Sequence, residues 1–240
     1  MEARIPKPKH ITESKYDCDE CRDAGFIFIT VDGYQSAKKC QCQVVKENSK
    51  RIEKSGLKEM LSVCSFEKFI ANKEWQKYIL RMAKEFIEQK EYPFFFIGGQ
   101  VGSGKSHICT AISRHYLDQK RSVAYRSYDD VIRNLKANVN DASLYNRIIY
   151  RLQNAQVLYI DDLFKTGKTE KPTDADIRHI FNLINYRYIN KKITIFSAER
   201  NIDEIINIDE GLGSRIKQLS GQYCLSIKNE KERNYRLIGG

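Results

Sequence analysis

Residues 98–108 read GGQVGSGKSHI, between an aromatic run, YPFFFIGG (92–99), and an apolar-periodic one, CTAISRHYL (109–117). Four glycines fall within residues 98–104. Glycine loses more backbone entropy on folding than any other residue, so such a cluster needs a local cause. Gly99, Gly104, Lys105 and Ser106 stand at the four fixed positions of G-x-x-x-x-G-K-[ST]. FFFIG (94–98) has the continuous apolar character of a buried strand, and SHICTAISRHYLDQ (106–119) the spacing of a helix. A glycine-rich turn between strand and helix lets backbone N–H groups curl around phosphate oxygens, with the helix N-terminus adding partial positive charge. The candidate phosphate-binding set is Gly99, Gly102, Ser103, Gly104, Lys105, Ser106 and His107. Lys105 is directed to the β and γ phosphates and Ser106 to Mg²⁺.

A phosphate loop needs an acidic strand end to complete the metal site. VLYIDD (157–162) supplies one: Asp161 to hold Mg²⁺ through water, Asp162 to orient or deprotonate an attacking water. Taken alone, the two aspartates would pass for residues capping a turn. ITIFSAER (193–200) is a third apolar strand with polar residues at its C-terminal end, where ligands bind in open α/β sheets. There Glu199 or Ser197 is placed to meet the γ-phosphate or the attacking water. Strands are also expected at SVAYRS (122–127) and YCLSI (223–227), with helices between them. The alternation predicts an α/β fold, a parallel sheet flanked by helices on both faces.

The chain has 240 residues, 41% hydrophobic and 30% charged, with a net charge of +10 that favours an anionic partner such as nucleic acid. No apolar run reaches the ~20 residues of a membrane span, and the first residues, MEARIPKPKHITESKYD, lack the apolar core of a secretory signal. A cytoplasmic protein without a membrane partner is expected, and disulfides are disfavoured there. Four of the seven cysteines nevertheless cluster near the N-terminus as Cys18-x-x-Cys21 and Cys40-x-Cys42. The 18 residues between the pairs hold a strand, FIFITV, and a turn at Asp32-Gly33, so a hairpin would gather four thiolates for tetrahedral Zn²⁺. His10 is a spare ligand, and a redox dithiol is the rival reading. Cys64, Cys109 and Cys224 lie in apolar settings and are expected in the core.

The order of glycine loop, YIDD, TIFSAER and a late GLGSRIKQL resembles that of AAA+ ATPases, and most of all the DnaC/DnaI-type replicative helicase loaders, phage versions included. SFEKF (65–69) ahead of the core, NYRL (234–237) after a last hairpin, and the cysteine-rich head CDECRDAGF…KKCQC carry the likeness over nearly the whole chain. It implies an AAA+ P-loop ATPase core at 65–240, a zinc-binding, helicase-contacting head at 1–45, and a linker at 46–64. It implies ATP as ligand, catalytic roles for Lys105, Asp161, Asp162 and Glu199, and an arginine finger at Arg215 that reaches the γ-phosphate of a neighbouring subunit. Implied partners are a DnaB-type hexameric helicase, single-stranded DNA, and further copies of the chain. In this branch the region between SVAYRS and QVLYIDD lines the ring interior. Here it carries Arg133, Lys136, Tyr145 and Arg147, cations interleaved with stacking rings. Two features depart from the family: Glu199 stands where a polar residue, often asparagine, is usual, and no helical lid follows NYRL. An initiator, an IstB-like transposition helper and a non-catalytic ATP-binding adaptor are the competing functions.

Overall fold

The computed structural model describes residues 16–31, 34–54, 57–166 and 171–238. His10 and the Asp32-Gly33 turn lie outside the described residues. The chain opens with β1 (Phe26–Val31) and β2 (Tyr34–Lys39), followed by α1 (Gln41–Lys54), α2 (Leu57–Val63) and α3 (Glu74–Glu88). The core then runs β3 (Phe94–Gly99), α4 (Lys105–Asp118), β4 (Val123–Ser127), α5 (Tyr128–Ala137), α6 (Ala142–Asn154) and β5 (Val157–Asp161). It continues with α7 (Asp174–Ile189), β6 (Ile193–Ser197), α8 (Ile202–Ile208), α9 (Glu210–Ser220), β7 (Cys224–Ile227) and α10 (Tyr235–Ile238).

Strands β3 to β7 form one sheet in the order β4-β5-β6-β3-β7, every neighbouring pair parallel. The glycine-bearing strand β3 is therefore interior to the sheet. Side chains alternate along each strand. Phe94, Phe96, Leu158, Ile160 and Phe196 pack under the helices α5 to α9. Phe95, Ile97, Val157, Tyr159 and Ile195 face α3 and α4. Each fully buried Phe contributes about 2 kcal/mol of burial free energy relative to an exposed one. All of β3 is buried, which explains why its sequence shows no polar alternation.

Local signals start most of the sheet-covering helices. Ser127, Asp141, Thr173, Asn201 and Asp209 each accept a backbone N–H in the first turn of the helix they cap. At the other end of α6, the fully buried Arg187 donates to the carbonyls of Leu152, Gln153 and Ala155 at 2.9–3.0 Å. It also donates to Thr194 Oγ1 and Ile193 O at 2.8 and 2.5 Å, so one guanidinium ties α6 to β6.

One expectation needs correction. NYRL does not close a hairpin: β7 pairs parallel with β3, and the chain then turns through residues 231–233 into α10. This brings Tyr235 N to Gly102 O at 3.0 Å, so the tail closes on the glycine loop. Between the head and the core, the stretch 46–64 holds the second part of α1 and all of α2.

Candidate functional site

The glycine loop leaves the sheet at the C-terminal end of β3 and enters α4 at Lys105. Gly99 has φ +108° and approaches the Ile227 carbonyl of β7 so closely that a Cβ would collide with it. Gly104, at φ +89°, is the cap residue of α4, in a left-handed conformation that glycine adopts without strain. Lys105 is nearly buried, and its ammonium donates to Gly99 O at 2.7 Å and Gln100 O at 2.6 Å. Burial lowers its pKa, opposed by the nearby carboxylates of Asp162, Glu199 and Asp161. The lysine thus rests within the turn where phosphate oxygens would replace those carbonyls.

Asp161 is 8% exposed and sits at the centre of a hydroxyl cage. Its Oδ1 accepts from Ser106 Oγ at 3.2 Å, from Tyr159 OH at 2.6 Å and from Ser197 Oγ; its Oδ2 accepts from Tyr125 OH at 3.2 Å. Ser106 and Asp161 therefore meet directly under the loop, a hydroxyl and a carboxylate suited to a hard cation such as Mg²⁺. Sequence reading missed the two tyrosines. A signal existed: Tyr159 shares a strand face with Asp161, and Tyr125 pairs with Tyr159 across β4 and β5. Desolvation raises the pKa of both phenols well above the ordinary tyrosine value, so they remain donors.

Asp162, at φ +55°, donates its backbone N–H to Ser197 Oγ at 3.0 Å. Its carboxylate and that of Glu199 share Lys165, at 2.8 and 2.9 Å. Lys165 was also missed. A cleft of about 430 Å³ joins these groups to the loop: Asp162, Lys165 and Glu199 line it beside Ser103 to His107, with Phe69, Ile70, Tyr235 and Arg236 completing its wall. His107 also lines the cleft; its ring is held by Ser65 O, at 2.8 Å from Nε2, and meets Phe69 edge-on at 5.4 Å.

Arg215 does not line its own chain's cleft. It stacks over Phe181 and Tyr188 at 5.0 and 5.4 Å and donates to Asn185 Oδ1 and Gly211 O at 2.9 and 2.7 Å. The four nucleic-acid candidates divide. Lys136 pairs with Asp176 at 2.6 Å and Tyr145 OH with His179 Nδ1 at 2.9 Å, both holding neighbouring helices to α7. Arg133 is exposed but paired with Asp129 on its own helix. Arg147 is exposed on α6 in line with Arg151 and with Tyr150, which is 66% exposed and absent from the sequence-based set.

The four N-terminal thiols converge. Cys18, Cys21, Cys40 and Cys42 place all their sulfurs within 4.8 Å of one another, with 3.7 Å from Cys18 to Cys40 and 3.4 Å from Cys21 to Cys42. A tetrahedron of Zn–S bonds of about 2.3 Å has edges of about 3.8 Å, so the donor set fits zinc. Pairing of β1 with β2 carries Cys40 back beside Cys18, and the first turn of α1 presents Cys42. The Cys18 thiol is lowered to about 7, first by the Cys21 backbone N–H, while Gly25 N–H donates to Cys21 Sγ at 3.3 Å. Cys109 is fully buried behind the loop and Cys64 is also buried; Cys224 is half-buried.

The bacterial DnaA ATPase domain family matches residues 62–221, two thirds of the chain. The chain belongs to this family. It is an AAA+ domain of the ATP-binding P-loop fold, and it resembles the DnaC/DnaI-type loaders. It is 30% identical over 245 residues to the phage-like element PBSX protein XkdC of Bacillus subtilis, covering 97% of this chain and 91% of that one. A crystal structure of the DnaC helicase loader superposes with TM-score 0.59 at 19% identity, over 72% of this chain and 99% of that one. AMPPCP-bound DnaA from Aquifex aeolicus gives TM-score 0.57 at 22% identity over 72% of this chain, which spans about half (52%) of that structure. These two likenesses concern the fold, a five-stranded parallel AAA+ sheet.

Proposed function

We propose that this AAA+ domain is an ATP-dependent loader that binds a hexameric replicative helicase of the DnaB type and delivers it to single-stranded DNA. The observation that carries the reading is the pairing of Ser106 with Asp161 at 3.2 Å beneath the Lys105 loop, in a chain akin to helicase loaders. ATP's phosphates are taken by the backbone N–H groups of Gly102 to Ser106, with Lys105 swinging from its two carbonyls onto the β and γ oxygens. Ser106 and Asp161 hold Mg²⁺, which when bound offsets phosphate charge. Asp162 then orients the attacking water. The purine lies toward Phe69, Ile70 and Tyr235 at the other wall of the cleft.

Arg215 serves a neighbouring copy in this proposal: it lies outside its own chain's cleft, half-buried against Phe181 and Tyr188, and its guanidinium would leave Asn185 and Gly211 to reach an acceptor in trans. The head at 1–45, which would hold zinc on Cys18, Cys21, Cys40 and Cys42, is the element that touches the helicase. Arg147, Arg151 and Tyr150 on α6 offer the exposed combination of cations and a ring that single strands favour. The site acts as a switch: triphosphate orders neighbouring copies through Arg215, and hydrolysis or exchange frees the helicase.

The test is capture of a purified DnaB-type hexamer by this chain with ATP, with ADP and without nucleotide, alongside Lys105→Ala. Expected is capture that depends on nucleotide state in the wild type and loses that dependence in Lys105→Ala, with an unchanged far-UV spectrum. No capture in any state, together with intact ATP binding, would favour the adaptor or transposition-helper readings.

A further inference from the structure

The inner end of the cleft carries an unusual charge arrangement for a site meant to accept a triphosphate. Asp161, Asp162 and Glu199 all act on Lys105 electrostatically, so three carboxylates crowd the place where the terminal phosphate must lie. Asp161 is committed to its hydroxyl cage and to a cation. Asp162 and Glu199 are not, and two bare carboxylates beside a γ-phosphate would repel it. Among the described residues, Lys165 is the cation bonded to both, at 2.8 Å from Asp162 Oδ2 and 2.9 Å from Glu199 Oε1. Its position is built: it lies three residues beyond Asp162, past a reversal in which Asp162 and Phe164 take φ +55° and +57°. The Phe164 carbonyl accepts a bond from Arg200, the neighbour of Glu199. The two strand ends are thus locked together, and Lys165 spans them in the wall of the cleft. Both carboxylates raise the Lys165 pKa above the ordinary lysine range, so it stays charged.

We propose that Lys165 is a specificity-determining positioning residue: by neutralising Asp162 and Glu199 it removes their repulsion of the γ-phosphate and lets the site prefer triphosphate to diphosphate. The α and β phosphates lie farther along the loop, against its backbone N–H groups, and feel the two carboxylates less than the γ-phosphate does. Lys165 thereby answers the departure at position 199. A glutamate is tolerated there because the chain supplies its counter-cation from the end of the adjacent strand. The inference rests on the nucleotide-binding reading above.

The experiment measures affinities for ATP and ADP, each with Mg²⁺, by fluorescence titration of labelled nucleotides. The proteins are wild type, Lys165→Met, Lys165→Arg, and the double variant Lys165→Met/Glu199→Gln, with melting curves as a check on folding. Expected is a loss of about tenfold more in ATP than in ADP affinity for Lys165→Met, the scale of one uncompensated charge in a partly screened cleft. Lys165→Arg should keep the wild-type ratio, and Glu199→Gln placed in the Lys165→Met background should restore most of it. An equal loss for both nucleotides, no loss, or a double variant no better than the single one would overturn the inference while leaving nucleotide binding standing. A wild type that binds neither nucleotide would overturn the underlying reading and this inference with it.

Discussion

Asp161 carries four hydroxyl contacts on two oxygens, and their hierarchy matters. Three of the donors, Tyr125, Tyr159 and Ser197, belong to the sheet and fix the carboxylate. The fourth, Ser106, belongs to the phosphate loop and can rotate toward a metal. Asp161→Asn keeps size and shape but removes the charge that a hard cation needs. We expect its ATP affinity in Mg²⁺ to fall about tenfold or more, toward the value measured in EDTA, with the metal dependence nearly lost; titrations with and without EDTA check this. A full metal effect in Asp161→Asn would place the cation elsewhere. At this scale the sequence was informative where one residue type is forced by chemistry. Glycines at φ +108° and +89°, a lysine in the turn and a carboxylate at a strand end can be read from spacing alone. The partners of those residues were not. Tyr159 shares a strand face with Asp161, a local signal, but Tyr125 and Lys165 act through cross-strand register and a reversed loop, which no local pattern encodes. His107 stands next to the motif, and its hydrogen bond to Ser65 adds a packing role.

Elements join at places where a backbone runs out of partners. The C-terminal carbonyls of α6 would be unsatisfied beside the sheet, and Arg187 from α7 supplies them. Its pKa is lowered to about 9 by burial, a sign of how completely water is excluded. Arg187→Leu fills similar space but leaves those carbonyls, with Ile193 O and Thr194 Oγ1, without their donor. Several orphaned acceptors at about 1 kcal/mol or more each predict a loss of about 3–5 kcal/mol in unfolding free energy, read from urea denaturation. A loss below about 1 kcal/mol would mean that water or a neighbour takes over. The start of α7 is legible in the sequence TDAD (173–176), which forms the capping box of Thr173 and Asp176. Nothing there marks Arg187 as internal, because an arginine in a helical pattern ordinarily lies on the wet face. The C-terminal tail misled for a related reason. NYRL has the residues of a strand end, but its tyrosine is held by Gly102 and Ile70, distant in sequence.

Across the whole molecule, stability is distributed unevenly. The sheet and its helices hold two large apolar clusters, whereas the described residues of the head gather Cys18, Cys21 and Cys40 with Ile27 and Cys42 against them. Every residue of β2 is exposed, and Phe28 and Tyr34 stand 77% and 80% exposed. A two-stranded hairpin with so little apolar burial is marginal in water, so zinc bound by the four thiolates, as proposed above, would supply most of its folding free energy. Four thiols within 4.8 Å would otherwise be left as a cluster of repelling thiolates or strained, oxidisable pairs. The core has no such dependence. Cys18→Ser, or a strong chelator on the wild type, should therefore free the β1 and β2 amides to exchange within seconds, while amides of β3, β5 and β6 keep their protection and ATP affinity stays within about twofold. Hydrogen exchange read by mass spectrometry separates the two regions in one measurement, and helicase capture on the same sample asks whether the hairpin is the docking element. Hairpin amides that remain protected after metal removal would show that backbone pairing alone holds the head. Loss of protection throughout the sheet would show that α1, which contacts β4 through Gln41 near Lys120, transmits the head's folding to the core.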